Sequence, residues 1–414
     1  MGDTGVRAGA WWSRAGVVVL VVGAAVLAVS SWIFGYVGHG LLDLQVYRMG
    51  GATVLAGDPL YDAVFHHDRL PFTYPPFAAL LFVPFELAGF TGGAVLMTAC
   101  TLAALARTAW LVAGAGWWRG PVARWSVGWR FALVGGLALL AWPTRSTIEY
   151  GQINVVLMWL IVEDLCGRGA RARWGGALTG VAAALKVTPA LFVVYTFLLG
   201  DLRRMVLAVG TAVAATAAGM VIGIDEWARY WTEELIDPTR VGDPHFLANQ
   251  SLDGVLHRLG VDGSRSLPWL IGSVLAVGGG LVVGRTLYRR GDHVDGVLAV
   301  AIGGLVASPI SWTHHWVWLV LAVPAIATWA TTAVERRRWW PAGLAAAAVV
   351  ALGVRLETVL PSKDGVELTY GPLQQVVASS YLLIGVAVLA GLAITALRPE
   401  ATSADEEVPA PVAA

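Results

Sequence analysis

The sequence predicts an all-α polytopic membrane protein of about twelve transmembrane helices with long outer loops. Three observations predict it. Hydrophobic residues make up 57% of the 414 against 14% charged, with a mean hydropathy of +0.66, a balance foreign to soluble domains of this length. Apolar runs long enough to span a bilayer recur along the chain. Between them fall arginine clusters at Arg7/Arg14, Arg119/Arg124/Arg130, Arg168/Arg171/Arg173, Arg203/Arg204, Arg285/Arg289/Arg290 and Arg336/Arg337/Arg338, which the positive-inside rule assigns to the cytoplasm. An even number of crossings must then separate any two clusters. The formal charge is zero, so bulk electrostatics point to no nucleic-acid partner.

The elements follow in order. The run 16–36 is too long and lacks the small-residue cleavage site of a signal peptide, so it reads as the first crossing, leading out to a polar loop, 37–93. Within that loop the apolar stretch 76–90 is short for a crossing and would break the parity, which places it in the outer leaflet. Helix 94–114 returns, and crossings at 131–145 and 152–165 are joined outside by Pro143 to Gln152. Residues 175–199 lie between two inner clusters yet are too few for two full spans, so a short hairpin is expected, with Lys186-Val187-Thr188-Pro189 at its tip. Helix 205–224 leads to a second outer loop, 225–266, and helix 267–285 returns. Pairs at 294–307 with 315–334, the two joined by a Trp312–His315 turn, and at 341–354 with 376–397 complete a single domain, 1–398, with both termini cytoplasmic in the plasma membrane. The Ala/Pro/Glu-rich tail 399–414 reads as a disordered cytoplasmic extension.

Ionisable groups at membrane depth are costly and therefore informative. Lys186, one of two lysines in the chain, stands between apolar Leu185 and Val187 with no acid beside it. A snorkelling lysine needs a nearby aqueous surface, which a hairpin tip in the membrane does not offer, so pairing with an anion such as a lipid phosphate is the sharper reading. His314 and His315 lie among three tryptophans where one span gives way to the next, either as interfacial residues of the aromatic belt or as site groups. Tyr150, Gln152 and Asn154 offer hydroxyl and amide groups suited to sugar hydroxyls, or to helix capping. In the first outer loop Tyr47, Asp58 and the His66-His67-Asp68 run accompany Asp43, which stands out because it follows the first span closely. A carboxylate at that level reaches both the lipid and the aqueous phase, and at neutral pH it can act as a general base. Cys100 and Cys166 show neither C-x-x-C nor metal-ligand spacing, and no third ligand accompanies the histidines, so no metal site and no cofactor are expected. No glycine-rich phosphate loop or acidic pair on a nucleotide fold is present.

Five motifs together carry a family resemblance: Asp43-Leu44-Gln45-Val46-Tyr47, Phe72-Thr73-Tyr74-Pro75-Pro76-Phe77, Tyr150-Gly151-Gln152-Ile153-Asn154-Val155, Leu185-Lys186-Val187-Thr188-Pro189 and the run from Ser308 to Trp316. In their order and spacing the sequence resembles the actinobacterial membrane α-1,2-mannosyltransferases of the GT-C superfamily. The resemblance implies a GT-C fold, a polyprenyl-phosphate mannose donor, and an acceptor that is a phosphatidylinositol mannoside or lipomannan-type glycolipid. It further implies an inverting displacement on the outer face, with Asp43 as base and Lys186 with His314 or His315 stabilising the departing phosphate. Asp58, Tyr47, Tyr150, Gln152 and Asn154 would contact the substrates, in a cleft formed by loops 37–93 and 225–266. A prenyl-phosphate-arabinose-dependent arabinofuranosyltransferase is the alternative within the enzymes, and a secondary transporter the alternative outside them, although the two dissimilar outer loops do not suggest related halves.

Overall fold

The computed structural model describes residues 4–65, 70–116, 118–167, 174–356, 359–362 and 364–398. The His66-His67-Asp68 run, the arginines at 168–173, Lys363 and the tail 399–414 lie outside them. The chain is a helical bundle whose only sheet among the described residues is a two-residue antiparallel hairpin, Val64–Phe65 with Leu70–Pro71.

Helix α1 (Thr4–Phe34) continues as a π-helical turn, Gly35–His39, and the chain then reverses through Gly40 and Leu41, both left-handed, into α2 (Leu42–Ala56). For Leu41, fully buried at φ 50°, that conformation costs about 1–2 kcal/mol. The reversal brings the start of α2 back against the bundle. Sequence patterning read this region as polar loop. It is helical because α2 lies flat on α3 (Pro76–Leu87) through Gly50 and Gly51, where a Cβ would collide with the Phe72 ring and the Phe82 backbone. Tertiary packing here outweighs the low helix propensity of two glycines.

Helix α4 (Gly89–Gly114) is a long apolar span, and α5 (Val127–Leu140) and α6 (Trp142–Tyr150) meet at a 65° bend. The single crossing expected at 131–145 is therefore broken. Pro143, at the start of α6, has no N–H to continue the ladder of α5. Helix α7 (Asn154–Cys166) is followed by α8 (Ala177–Leu185) and α9 (Ala190–Leu198), which break at Lys186–Pro189 where the hairpin tip was expected. Helix α10 (Leu202–Ala218) leads to the second long loop, which holds α11 (Ile224–Thr232) and α12 (Leu252–Arg258), and α13 (Leu267–Arg289) packs along α14 (His293–Ala307).

After Trp312 a 3₁₀ helix runs through Thr313–Ala322 before α15 (Val323–Glu335) begins, so the α-helix expected over 315–334 starts eight residues late. Pro324 cannot donate to Val320, which weakens α-type pairing across the junction. Helices α16 (Trp340–Gly353), α17 (Pro372–Ala378) and α18 (Ser380–Leu397) close the bundle.

Six helices among the described residues are long and apolar enough to cross a membrane alone, or seven if the bent α5–α6 pair counts as one span. The chain is thus a multi-pass membrane protein, but single unbroken helices do not account for about twelve crossings. The two long loops are tied together: Arg229 of α11 bonds Asp62 at 2.7 Å and Glu234 at 2.8 Å, and Glu226 accepts from the Tyr61 N–H at 3.1 Å.

Candidate active site

Four of the five sequence motifs converge directly on one point, and the fifth holds its histidines there. Asp43 stands in the first turn of α2, with Tyr47 four residues on and so on the same helical face. Tyr74 enters from the strand-to-helix connection before α3. Gln152 and Asn154 come from the α6–α7 turn, which passes through Gly151 at φ 68°; a Cβ there would lie 2.7 Å from that of Leu44. Only glycine permits both that turn and that approach.

The Gln152 amide is fixed by its neighbours. Its Oε1 accepts from the Tyr47 hydroxyl at 2.7 Å and from Asn154 Nδ2 at 3.3 Å, and its side chain lies close enough to the Asp43 carboxyl to favour the ionised form. With the oxygen so engaged, the amide NH₂ is the group turned to the carboxylate. Tyr47 also shares a 2.9 Å hydrogen bond with Tyr74 and is wholly buried, so it holds Gln152 in place from behind. Burial pushes the Asp43 carboxyl up to about 6, against the lowering effects of the Gln152 side chain and of the Lys186 charge.

Lys186 completes the cluster from the α8–α9 break. Its Nζ donates to Asn154 Oδ1 at 3.3 Å, lies 3.2 Å from His315 Nε2 and sits 5.5 Å from the Tyr74 ring centre. Of three ammonium N–H groups, one remains for a further acceptor. His315, Lys186 and Asn154 line a cavity of about 580 Å³ whose other walls, including Leu157, Phe192, Val300 and Leu305, are mainly apolar, with Thr188, Ser308 and Ser311 the remaining polar residues. A fixed cation in a mainly apolar chamber suits a phosphate carried on a hydrocarbon chain. Among the described residues no group of three or more His, Cys, Asp or Glu is placed to hold a metal ion.

The two histidines part company. His315 lines the cavity, whereas buried His314 turns to the Tyr150 ring, 5.9 Å away, and its Nε2 has no hydrogen-bond partner among the described residues. Asp58 is not brought into the cluster. It is exposed just past the other end of α2, whose axis from Asp43 to Ala56 is about 20 Å long at 1.5 Å per residue.

The family whose pattern matches, over residues 72–311, is described as Glycosyltransferase family 87. The chain belongs to glycosyltransferase family 87. Among its curated relatives is a polyprenol-phosphate-mannose-dependent alpha-(1-2)-phosphatidylinositol mannoside mannosyltransferase of Mycolicibacterium smegmatis, 35% identical, with 88% of this chain and 86% of the relative covered. The protein of the same description from Mycobacterium tuberculosis is 34% identical, with 95% and 94% covered. A polyprenol-phosphate-mannose-dependent alpha-(1-2)-phosphatidylinositol pentamannoside mannosyltransferase of M. smegmatis is 36% identical over 76% of each chain. A crystal structure of ArnT from Cupriavidus metallidurans bound to undecaprenyl phosphate aligns with 90% of this chain and 71% of its own, at a TM-score of 0.44 and 21% identity.

One part of this family 87 site escaped sequence reasoning. Asn249, Gln250 and Ser251 of the second long loop are fully buried and clamp the segment that leads to the histidines. Asn249 Oδ1 accepts from the N–H groups of Ser311 (3.0 Å) and Ser251 (3.3 Å), and its Nδ2 donates to the carbonyls of Pro244 (3.0 Å) and Pro309 (3.1 Å). Gln250 N–H donates to Ser311 O at 2.8 Å, beside an antiparallel bridge between Asn249 and Trp312. Three consecutive polar residues in a long loop carry no pattern that separates a buried clamp from a solvated turn. Asn249→Ala leaves the buried N–H groups of Ser311 and Ser251 without an acceptor, at about 1–3 kcal/mol each. A lower melting temperature in detergent is the expected outcome, and an unchanged one would show that the clamp is dispensable.

Proposed function

We propose that this family 87 protein is an inverting, polyprenyl-phosphate-mannose-dependent α-1,2-mannosyltransferase with a GT-C fold that extends a phosphatidylinositol mannoside-type acceptor. The observation that carries the reading is the meeting of Asp43 and Lys186 around Gln152 and Asn154, with Lys186 lining the mainly apolar cavity. The curated relatives' names supply the donor, the linkage and the class of acceptor.

In this reading the donor's prenyl chain occupies the 580 Å³ cavity and its phosphate meets Lys186. Asp43 removes the proton from the acceptor hydroxyl, whose oxygen attacks the anomeric carbon as the bond to the phosphate oxygen breaks. A β-linked mannosyl phosphate then gives an α-mannoside through an oxocarbenium-like state. The leaving phosphate gains charge as it departs, and Lys186 and His315 stand where that charge develops. Lys186 donating to Nε2 requires a neutral His315 with its proton on Nδ1.

Purified protein in nanodiscs, given polyprenyl-phosphate mannose and a phosphatidylinositol mannoside, is expected to form a product stable to mild acid with a terminal α-1,2-linked mannose. Transfer from a prenyl-phosphate arabinose donor and none from the mannose donor would move the reading to the arabinofuranosyltransferase.

The charge distribution supports an active site on the outer side, with both termini inside. In a background without native cysteines, Leu259→Cys in the second outer loop is expected to react with an impermeant maleimide on intact cells, and Trp339→Cys beside the last arginine cluster is not. Both positions are exposed, so reversed labelling would invert the orientation.

A further inference from the structure

After α11 the chain makes two 3₁₀ turns, Glu234–Ile236 and Pro238–Val241, in which little is buried: Leu235 is 40% exposed and Ile236 71%. Among the described residues no backbone–backbone hydrogen bond joins 234–241 to another element. Charged side chains hold the strap instead. The Glu234 side chain, 4% exposed, accepts from Arg229 Nε at 2.8 Å through Oε1 and pairs through Oε2 with Arg240. Arg229 also bonds Asp62 at 2.7 Å, and its Nη1 stands 3.9 Å from Glu226. Glu234 is thus the carboxylate that both arginines share, and without it the two guanidiniums lose the charge that draws them together.

This latch puts one side chain on the wall of the donor cavity. Among the described residues of 225–266, Leu235 is the one that lines it; the other walls come from α7, the α8–α9 connection, α9, α13, α14 and the segment 308–318. The strap is registered to the Asp43–Lys186 cluster through Tyr61. Glu226 accepts from the Tyr61 N–H at 3.1 Å, and the Tyr61 carbonyl accepts from Arg240 Nη2 at 3.3 Å, so the second long loop grips its main chain from both sides. The Tyr61 hydroxyl in turn donates to Tyr74 O at 2.9 Å, and the Tyr74 ring lies 5.5 Å from Lys186 Nζ. A leucine that lines a cavity while 40% of it stays exposed still has apolar surface for a ligand to cover.

We propose that Leu235 is a donor-binding residue that covers the hydrocarbon chain of the prenyl phosphate, and that Glu234 is the positioning residue that seats it. The inference rests on the assignment of the donor to this cavity. Lys186 takes the phosphate and Leu235 the isoprenoid. A leucine side chain offers no hydrogen bond to a sugar hydroxyl, so its contribution goes to the lipid and is the same for the mannosylated donor and for the polyprenyl phosphate left after transfer.

The test uses full-length protein in nanodiscs. Leu235→Ala is expected to raise KM for the polyprenyl-phosphate mannose donor about five- to tenfold, leaving kcat and KM for the acceptor within twofold. Ile236→Ala, in the same turn but outside the cavity wall, is expected to leave all three within twofold. Glu234→Gln should reproduce the rise in donor KM at unchanged kcat, and Glu234→Gln combined with Leu235→Ala should be no worse than Leu235→Ala alone, because a latch with nothing to seat has no further effect. Unchanged donor KM in Leu235→Ala, or an equal rise in Ile236→Ala, would overturn the inference. Multiplying effects in the double variant would remove Glu234 from the positioning role. A photoreactive residue at position 235 adds a readout free of turnover: crosslinking to polyprenyl phosphate that unlabelled polyprenyl phosphate displaces and phosphatidylglycerol does not is expected, and crosslinking displaced equally by both counts against the site. Displaceable crosslinking in a protein that transfers no mannose would strike the functional proposal and leave this one standing, whereas full transfer without crosslinking would do the reverse.

Discussion

Asp43→Asn is expected to fold, insert and bind donor normally while losing about 10²–10⁴-fold in turnover, the range a positioned general base contributes. The amide keeps the shape of the carboxyl and can still meet Gln152, so the loss isolates the missing proton acceptor. The wild-type rate should carry its own signature. With the carboxyl pushed up to about 6 by burial, kcat/KM should fall about tenfold per pH unit below pH 6, where an unperturbed aspartate would hold its rate down to about pH 4. The sign for stability runs the other way. A carboxyl raised on folding binds more protons in the native state between those values, so its ionisation weakens the fold as pH rises through about 6. Asp43→Asn removes that penalty and should melt no lower than wild type at pH 7. Near-normal transfer by Asp43→Asn would end the assignment, and an inactive Asp58→Asn would shift the role to a residue just past the other end of α2.

Lys186→Met keeps much of the side chain's length and apolar stem and removes the charge. Donor affinity should weaken and turnover should fall by about 10²–10³-fold, as when a group opposite developing negative charge is lost. Removing a charge from an apolar chamber costs the fold little and can stabilise it. A second effect tests whether the two groups share one site. The Lys186 charge lowers the Asp43 carboxyl, so residual activity in Lys186→Met should show its acid limb at higher pH than wild type. Unchanged donor affinity, measured by titration in nanodiscs, would reduce Lys186 to a structural residue.

The membrane class and the polar cluster around Lys186 were both legible in the sequence, for different reasons. Apolar spans announce themselves because each must satisfy a length set by the bilayer. The cluster was legible because ionisable residues at such depth need a reason to be there, and Asp43, Gln152, Asn154, Lys186 and His315 prove to be neighbours. What stayed hidden depends on tertiary contact. Helix α2 contains a Gly50-Gly51 pair that reads as a break until Phe72 and Phe82 are packed against it. Tyr47 reads as a substrate contact until its hydroxyl is seen bonded to Gln152 and Tyr74. The assignment of roles to His314 and His315 depends on winding, which composition does not disclose: a one-residue step turns one ring into the donor cavity and the other to Tyr150.

That winding also makes the 3₁₀ segment a partition. At about three residues per turn, side chains three apart stack in straight columns instead of spiralling. One column, His315 and Trp318, faces the cavity beside Lys186; the other two, Trp316 with Leu319 and Val317 with Val320, face a second cavity, between α5, α15 and α16. Rewound as an α-helix, each column would drift by about 60° per three residues and the ten residues would shorten by about 5 Å. His315 and Trp318 would then stand about 60° apart around the axis instead of in line. A single thickness of chain therefore forms a common wall with a different lining on each side, and its pitch keeps two greasy compartments from merging into one.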